Sequence, residues 1–225
     1  MHWLLLFGKR PRRGRVKTRL VPPLTDEHAL RLYRAFLVDQ LRFVRGFHGV
    51  RAAWVADGPL DAASDRELPI DGVERLEQGE GDLGARLRRA FAAATRRGAG
   101  PTVVIGTDSP TLPETHVLRA FELLESGAPA VMAPSYDGGY VLIGCVGSRS
   151  ELFERVPWGG PAVAETTRRR AVQAGIALHT IDPWYDVDDR EGLDRLRREL
   201  RDPSAARRAP RTARALLDLP FDPVV

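Results

Sequence analysis

An α/β fold, three layers deep with helices on both faces of a mostly parallel sheet, is what this 225-residue sequence predicts. Three observations carry that expectation. Short apolar runs alternate along the chain with segments whose apolar residues recur at helical spacing. Glycine and proline stand at many of the joins between them. The first apolar run, Trp3 to Phe7, passes through a loop holding Gly8, Gly14 and six cationic side chains into a long amphipathic segment.

The elements follow in order. Trp3–Phe7 reads as a buried first strand. Thr25 is placed to cap a helix, with Asp26 and Glu27 in its first turn, and Leu30, Tyr33, Leu37, Leu41 and Val44 recur along it until Gly46 and Gly49 end it. Val50–Ala56 reads as a strand, Asp57 to Gly72 as a polar surface loop, and Val73–Leu76 as a short strand. Leu83, Leu87, Ala90, Phe91 and Ala94 mark a second helix, closed by Gly98 and Gly100. Thr102–Ile105 is a buried strand ending in Gly106-Thr107-Asp108-Ser109-Pro110. Thr111 and Glu114 form a capping-box pattern for a helix to Glu125. Ala130–Pro134 and Tyr140–Val146 read as strands joined by the hairpin-like turn Ser135 to Gly139. A short helix near Glu151, a helix from Ala162 to Ala174, a last strand Ile176–Ile181 and a helix Glu191–Leu200 complete the pattern. Residues 1–201 are expected to form one domain, and 202–225 a tail with a short helix at Thr212–Leu217.

Composition narrows the function classes. The chain is 43% hydrophobic and 28% charged, as a water-soluble globular domain requires. No apolar run reaches the ~20 residues of a membrane helix, and the first apolar run is too short for a secretory signal. The single cysteine, Cys145, allows no internal disulfide and suits a reducing, cytoplasmic compartment. Net charge is +4, yet most arginines lie at helical spacing beside Glu and Asp without aromatic interleaving, which argues against nucleic acid as a partner. Oligomeric state is not readable.

Of the 34 Lys and Arg residues only two are lysine, and both, Lys9 and Lys17, fall in the first loop. Elsewhere the chain uses Arg for positive charge. A compact ammonium with rotatable donors is a point-charge phosphate binder, whereas guanidinium is a planar fork. Strand, glycine-bearing basic loop, helix is how α/β proteins hold polyphosphate. Gly8, Gly14 and Lys17 are therefore expected on phosphate, with Lys9 and Arg15 beside them. Gln78, Gly81 and Asp82, in the glycine-rich turn before the second helix, are candidates for a base or ribose, with capping of that helix as the other role for Asp82.

Ligands of open α/β sheets bind beyond the carboxyl ends of the strands. Asp108 stands there, and Asp186 and Asp188 follow the last strand. Carboxylates at two strand ends without a Cys/His cluster favour Mg2+ or Mn2+ over zinc. Asp188 with Glu191 also makes a helix N-cap pattern, leaving Asp189 as first-turn charge. The turn Asp137-Gly138-Gly139-Tyr140 is a candidate acceptor contact. Trp158 and Trp184 are placed to shape a pocket mouth or pack in its rim. No nucleophile constellation is present, since Ser109 lacks a Gly-x-Ser-x-Gly elbow and the five histidines are scattered.

Phe7-Gly8-Lys9, Gly14-Arg15-Val16-Lys17-Thr18-Arg19-Leu20, Gly106-Thr107-Asp108-Ser109-Pro110, Asp137-Gly138-Gly139-Tyr140 and Asp186-Val187-Asp188 together resemble a family of small bacterial GT-A-fold transferases. That family carries the label of arsenosugar-biosynthesis or radical-SAM-associated glycosyltransferases and is similar to 2-phospho-lactate and molybdenum-cofactor guanylyltransferases. The resemblance spans Trp3 to about Leu200. It implies a nucleotide-diphospho-sugar transferase (GT-A) fold, Lys17 on phosphate, Gln78 and Gly81 on the nucleoside, and Asp108 and Asp188 on metal. The first loop is more basic here than in that pattern, and Asp108 stands alone where many glycosyltransferases carry Asp-x-Asp. The expectation is thus an enzyme: metal-dependent nucleotidyl transfer from an NTP to a phosphorylated small-molecule acceptor, releasing pyrophosphate. Glycosyl transfer from an NDP-sugar and a non-catalytic nucleotide-binding domain are the alternatives.

Overall fold

A computed structural model describes residues 1–59 and 68–219. The middle of the expected polar loop and the last residues of the expected tail lie outside the described residues. The elements run β1 (His2–Gly8), α1 (Asp26–Arg45), β2 (Val50–Ala56), β3 (Glu74–Glu77), α2 (Leu83–Arg96), β4 (Pro101–Gly106), α3 (Glu114–Glu125), β5 (Ala130–Pro134), β6 (Tyr140–Val146), α4 (Val163–Gln173), β7 (Leu178–Thr180), α5 (Arg190–Glu199), α6 (Pro203–Arg208) and α7 (Pro210–Leu217). Short 3-10 turns sit at Thr18–Leu20 and Ser150–Phe153, the latter where a helix was expected near Glu151.

Among the described residues the sheet has seven strands in the order β3-β2-β1-β4-β6-β5-β7, parallel throughout except for β6, which runs against both its neighbours. The α/β expectation holds. Strand β1 shows why both faces are covered. Its side chains alternate, Leu4 and Leu6 packing with Leu37 and Leu41 of α1 and Val117 and Phe121 of α3 on one face. Trp3, Leu5 and Phe7 pack on the other face with Leu87 and Phe91 of α2, Phe153 and Ala164. A strand buried on both sides reads as a continuous apolar run, which is how Trp3–Phe7 reads.

A third apolar cluster positions the site. Leu20 after the basic loop, Leu32 and Phe36 of α1, Tyr185 and Val187, and Leu193 and Leu196 of α5 are buried together. This cluster anchors the basic loop and the Asp186–Asp188 segment to one support.

Caps fall partly where the sequence placed them. The Thr25 hydroxyl accepts from His28 N–H at 3.2 Å. Asp189, not Asp188, caps α5, accepting from Gly192 N–H at 2.9 Å. Asp188 is thereby released from the capping role. Thr111 does not cap α3, which begins after Pro113 without a side-chain cap. Its hydroxyl instead donates to Glu199 at 2.7 Å, and Glu199 also accepts from Arg208 at 2.8 Å and from the Tyr185 hydroxyl. Among the described residues two helices, rather than one, follow residue 202. The buried Asp39 carboxylate of α1 accepts from the N–H groups of Arg211 (3.1 Å) and Thr212 (2.7 Å) at the start of α7. No helix among the described residues is long and apolar enough to cross a membrane.

Candidate active site

The register of the sheet brings the expected loops to one edge. Phe7 pairs with Gly106 and Gly8 with Ala56, so β1, β2 and β4 end side by side. Thr107 N–H donates to Phe7 O at 3.1 Å, and Val187 N–H donates to Asp108 O at 2.8 Å. The second bond ties the segment after β7 directly to the loop after β4. Gln40 of α1 supports the same loop, donating to Ser109 O at 2.5 Å, while the Ser109 hydroxyl donates to Tyr185 O at 2.8 Å. The Ser109 hydroxyl is thus engaged in holding the loop.

These strand ends enclose a cavity of about 590 Å³, within the range of small-molecule sites. Its charged part centres on Lys17, whose side chain is 3% exposed. The Lys17 Nζ lies 2.9 Å from Asp188 Oδ1, makes an ion pair with Asp108 as well, and sits 5.5 Å over the Phe36 ring. Lys17 holds a left-handed backbone conformation (φ 50°, ψ 36°) that turns its side chain out of the loop. Burial works against its charge, but Asp108 and Asp188 outweigh burial and hold the ammonium above the ordinary lysine value. Burial likewise works to raise the Asp188 carboxyl, but Lys17, with Arg19 and Lys9, holds it below the ordinary carboxylate range.

Among the described residues no Lys or Arg pairs with Asp186. Burial, then the neighbouring Asp137, Asp188 and Asp108, push its carboxyl up to about 7. The cavity wall carries Asp108, Asp137, Asp186 and Asp188, matched in number by Lys9, Lys17, Arg19 and Arg86. Among the described residues no group of three or more His, Cys, Asp and Glu is arranged to hold a metal ion by itself. Asp108 and Asp188 already share one cation, and a hard-oxygen pair of that kind fits Mg2+ or Mn2+ only when phosphate oxygens and waters complete the shell. It does not fit a zinc site built of protein ligands.

The phosphate loop is shaped by contacts. A side chain on Gly8 would place its Cβ 2.5 Å from Thr107 Cγ2 and 3.2 Å from the Tyr33 hydroxyl. The absence of a side chain at Gly8 lets β1 and β4 end in contact. Tyr33 donates to Lys9 O at 2.8 Å and lies 3.2 Å from the Thr107 hydroxyl, so it fixes where the loop leaves the strand.

The expected residues divide in two. Gly8, Lys9, Lys17, Gln78, Asp108, Asp137, Gly139, Tyr140, Asp186 and Asp188 line the cavity. Gly14, Arg15, Gly81, Asp82 and Gly138 are not on its wall. Gly14 and Arg15 form an exposed turn in which Arg15 N–H donates to Arg12 O at 3.1 Å. Asp82 caps α2 through Ala85 N–H at 2.7 Å, the second of the two roles open to it. Gly138 faces the chain after β6 instead: its carbonyl accepts from Ala164 N–H at 2.9 Å, and a Cβ there would run into Pro161 O.

Gln78 is 6% exposed and its amide is committed to the scaffold. Its Nε2 donates to Gly8 O (3.1 Å) and Val55 O (3.0 Å), and its Oε1 accepts from Arg86 (3.0 Å). The paired edge expected to read a base is therefore turned onto the ends of β1 and β2. Arg86, also on the cavity wall, is the half-buried end of that pair. Nothing in the sequence separates Arg86 from the other helical arginines, and Tyr33 reads there only as a core position. Trp158 lines the cavity, whereas Trp184 packs against His116 and Tyr185 beside it.

Fold and cavity together define the class: a nucleotidyltransferase-like GT-A fold with its cavity at the carboxyl ends of the strands. The chain belongs to the bacterial family described as "uncharacterized protein conserved in bacteria (DUF2064)", which its residues 41–160 match. No curated protein matches the sequence. Among solved structures it is similar to a candidate nucleotide-diphospho-sugar transferase from Desulfovibrio desulfuricans G20, at 29% identity and a TM-score of 0.85 over 96% of this chain and 94% of that one. A cytidylyltransferase from Leptospira borgpetersenii shares the fold at 13% identity and a TM-score of 0.54, over 89% of this chain and 86% of that one. So does a CMP:2-keto-3-deoxy-manno-octonic acid synthetase complexed with CTP, at 13% identity and a TM-score of 0.51, over 88% and 98%.

Proposed function

We propose that the protein is a metal-dependent transferase that moves a nucleotidyl group from an NTP to a phosphorylated or phosphonate small-molecule acceptor. The observation that carries this reading is the buried Lys17 ammonium held by Asp108 and Asp188 in the loop where β1 and β4 end. In the reaction, an acceptor oxygen forms a bond to the α-phosphorus, the bond from that phosphorus to the bridging oxygen breaks, and pyrophosphate leaves with its electrons. Lys17, with Lys9 and Arg19 on the same wall, neutralises charge on the phosphates. Asp108 and Asp188 would hold Mg2+ or Mn2+, which when bound supplies Lewis acidity toward the phosphate oxygens. Tyr33 and Gly8 fix the loop, and Gln78 and Arg86 hold the side of the cavity proposed for the nucleoside. The turn from Asp137 to Tyr140 is proposed to face the acceptor. A phosphate acceptor is already an anionic nucleophile, so catalysis here is positioning and charge stabilisation rather than covalent chemistry.

A second reading, glycosyl transfer from an NDP-sugar, is favoured by the likeness to the D. desulfuricans protein. The narrower label of arsenosugar-biosynthesis or radical-SAM-associated glycosyltransferase, drawn from the motifs, belongs with it. Nucleotide binding without turnover is a third. Melting-temperature measurements with each NTP and NDP-sugar, with and without Mg2+, separate the readings, because the cognate ligand stabilises by mass action. The first expects an NTP to stabilise most, with Mg2+ required and pyrophosphate released in the presence of acceptor. Greater stabilisation by an NDP-sugar, with no pyrophosphate from any NTP, overturns it.

A further inference from the structure

The cavity has a second, chemically different part that phosphate binding leaves unexplained. Leu83, Leu87, Tyr140, Ile143, Trp158 and Val163 form an apolar wall. Leu87, Ile143, Tyr140 and Trp158 belong to the apolar layer that covers one face of the sheet, so the core itself opens into the cavity here. Leu83, the first residue of α2, is 41% exposed on this wall. A large apolar side chain left exposed within a concave site is ready to be covered by a ligand.

The wall is built rigidly. Trp158 meets Tyr140 edge to face, with ring centroids 6.3 Å apart and planes at 86°, a favoured aromatic arrangement. The Trp158 ring is wedged against the start of α2: a Cβ on Gly84 would lie 2.7 Å from Trp158 Nε1 and would also strike Phe153 O. The Gly138 carbonyl accepts from Ala164 N–H at 2.9 Å, which joins the acceptor turn to the segment carrying Trp158. Tyr140 is at once the end of that turn and the partner of Trp158. Tyr140 and Trp158 therefore belong to the acceptor side of the cavity, and Leu83 and Leu87, beside Arg86 on α2, carry the wall on toward the other side. Gln78 and Arg86 hold the side assigned to the nucleoside.

We infer that the acceptor presents a flat apolar group, an aromatic or cyclic hydrocarbon skeleton, to the Trp158–Tyr140 wall while its phosphate or phosphonate faces Lys17. This rests on the nucleotidyl-transfer reading and adds the class of acceptor. An open-chain polyol phosphate offers the same anion but leaves the wall wet.

The test uses the full-length protein with Mg2+ and whichever NTP stabilises it most. Phenyl phosphate and glycerol 3-phosphate are titrated calorimetrically into wild type, Trp158→Ala, Trp158→Phe and Leu83→Ser. Phenyl phosphate is expected to bind at least about tenfold tighter than glycerol 3-phosphate, from the apolar area it buries. Trp158→Ala should abolish that preference and Trp158→Phe should keep most of it, with NTP affinity unchanged in both. Leu83→Ser, on an exposed side chain, should weaken it even if Trp158→Ala fails to fold. Equal affinity for the two phosphates, binding of neither, or a preference that survives Trp158→Ala and Leu83→Ser overturns the inference. So does loss of NTP affinity in Trp158→Ala, or displacement of phenyl phosphate by NTP, since either would assign the wall to the base. Failure of every NTP to stabilise wild type is a separate result that removes the nucleotidyl-transfer reading itself.

Discussion

Replacing Lys17 by Met separates what its ammonium does from what its chain length does. The side chain is 3% exposed, while Asp108 and Asp188 are 40% and 43% exposed. Breaking a fully buried pair costs about 3–5 kcal/mol and an exposed one about 0–1 kcal/mol. With a buried ammonium and half-solvated carboxylates, the expected loss is about 1–3 kcal/mol in the metal-free protein. For a chain of this length that is about 2–12 °C in melting temperature. The pH dependence has a definite sign. The Lys17 value is raised, so its contribution is complete below 10.5 and lost as pH rises through the higher folded value. The Asp188 value is lowered, so its contribution is present above 3.8 and lost as pH falls through the lower folded value. The difference between wild type and Lys17→Met should therefore be fully developed near neutral pH and shrink as pH falls through the carboxylate range or rises through the lysine range. Lys17→Gly relieves about 1 kcal/mol of left-handed backbone strain but empties a buried site, so it should be no more stable than Lys17→Met. In the same variants, nucleotide triphosphate affinity should fall about ten- to a hundredfold, the worth of a charge-assisted phosphate contact. Mn2+ added alone should bind Lys17→Met more tightly than wild type, since no ammonium competes for the two carboxylates. Urea melts across pH, Mn2+ titration followed by electron paramagnetic resonance, and nucleotide titration read these effects. Unchanged stability together with triphosphate affinity within twofold of wild type would refute the placement of Lys17 at the centre of the site.

Three further perturbations follow from named contacts. Asp186 keeps its proton up to about 7 in the folded protein against 3.8 ordinarily, so ionising it opposes folding and wild-type stability should decline from about pH 4 to 7. Asp186→Asn should then be more stable than wild type by about 2–4 kcal/mol at pH 8 in EDTA and equal to it near pH 4, as read by urea unfolding. Gly8→Ala should cost about 1–3 kcal/mol and weaken nucleotide binding, because its Cβ meets Thr107 Cγ2; adding Thr107→Ser, which removes that methyl, should restore most of both, and no restoration would sink the packing argument. Asp39→Ala removes the acceptor for two N–H groups at the start of α7 and should cost about 1–2 kcal/mol, exposing the chain after residue 202 to limited proteolysis while nucleotide affinity stays within twofold.

The sheet was legible because strands buried on both faces write themselves as unbroken apolar runs, as Trp3–Phe7 and Thr102–Ile105 do. The Thr25 cap was legible because its partner lies three residues away. What could not be read depends on contacts between distant segments. Thr111 and Glu114 satisfy the local pattern of a capping box, but the Thr111 hydroxyl finds Glu199, 88 residues away, and the local pattern has no access to that competitor. The same holds for Gln78, whose donors are taken by the ends of two strands 70 and 23 residues distant. The choice of Asp189 over Asp188 as cap turns on a one-residue phase that pattern reading does not fix. The helix at 203–208 did carry a local signal, Asp202 capping before Pro203 at the first helical position, in a stretch dominated by its prolines.

Charge balance was the least legible property and the most consequential. Residue types alone place Asp108, Asp186 and Asp188 at strand ends, and the fold shows why they are unequal. Asp108 and Asp188 share Lys17, whereas Asp186 faces Asp137 and the other two carboxylates with no cation of its own. A protein that wanted only stability would relieve that crowding with one more lysine or one fewer aspartate. The arrangement instead matches four carboxylates on the wall with four cations, Lys9, Lys17, Arg19 and Arg86, while leaving Asp186 crowded by acid. A polyphosphate, which brings a divalent cation with it and draws the ammonium toward its own oxygens, satisfies both halves at once. A neutral ligand satisfies neither. Crowded carboxylates set beside the cations of the loop are thus the physical reason to expect that phosphate and metal bind together, each raising the affinity of the other.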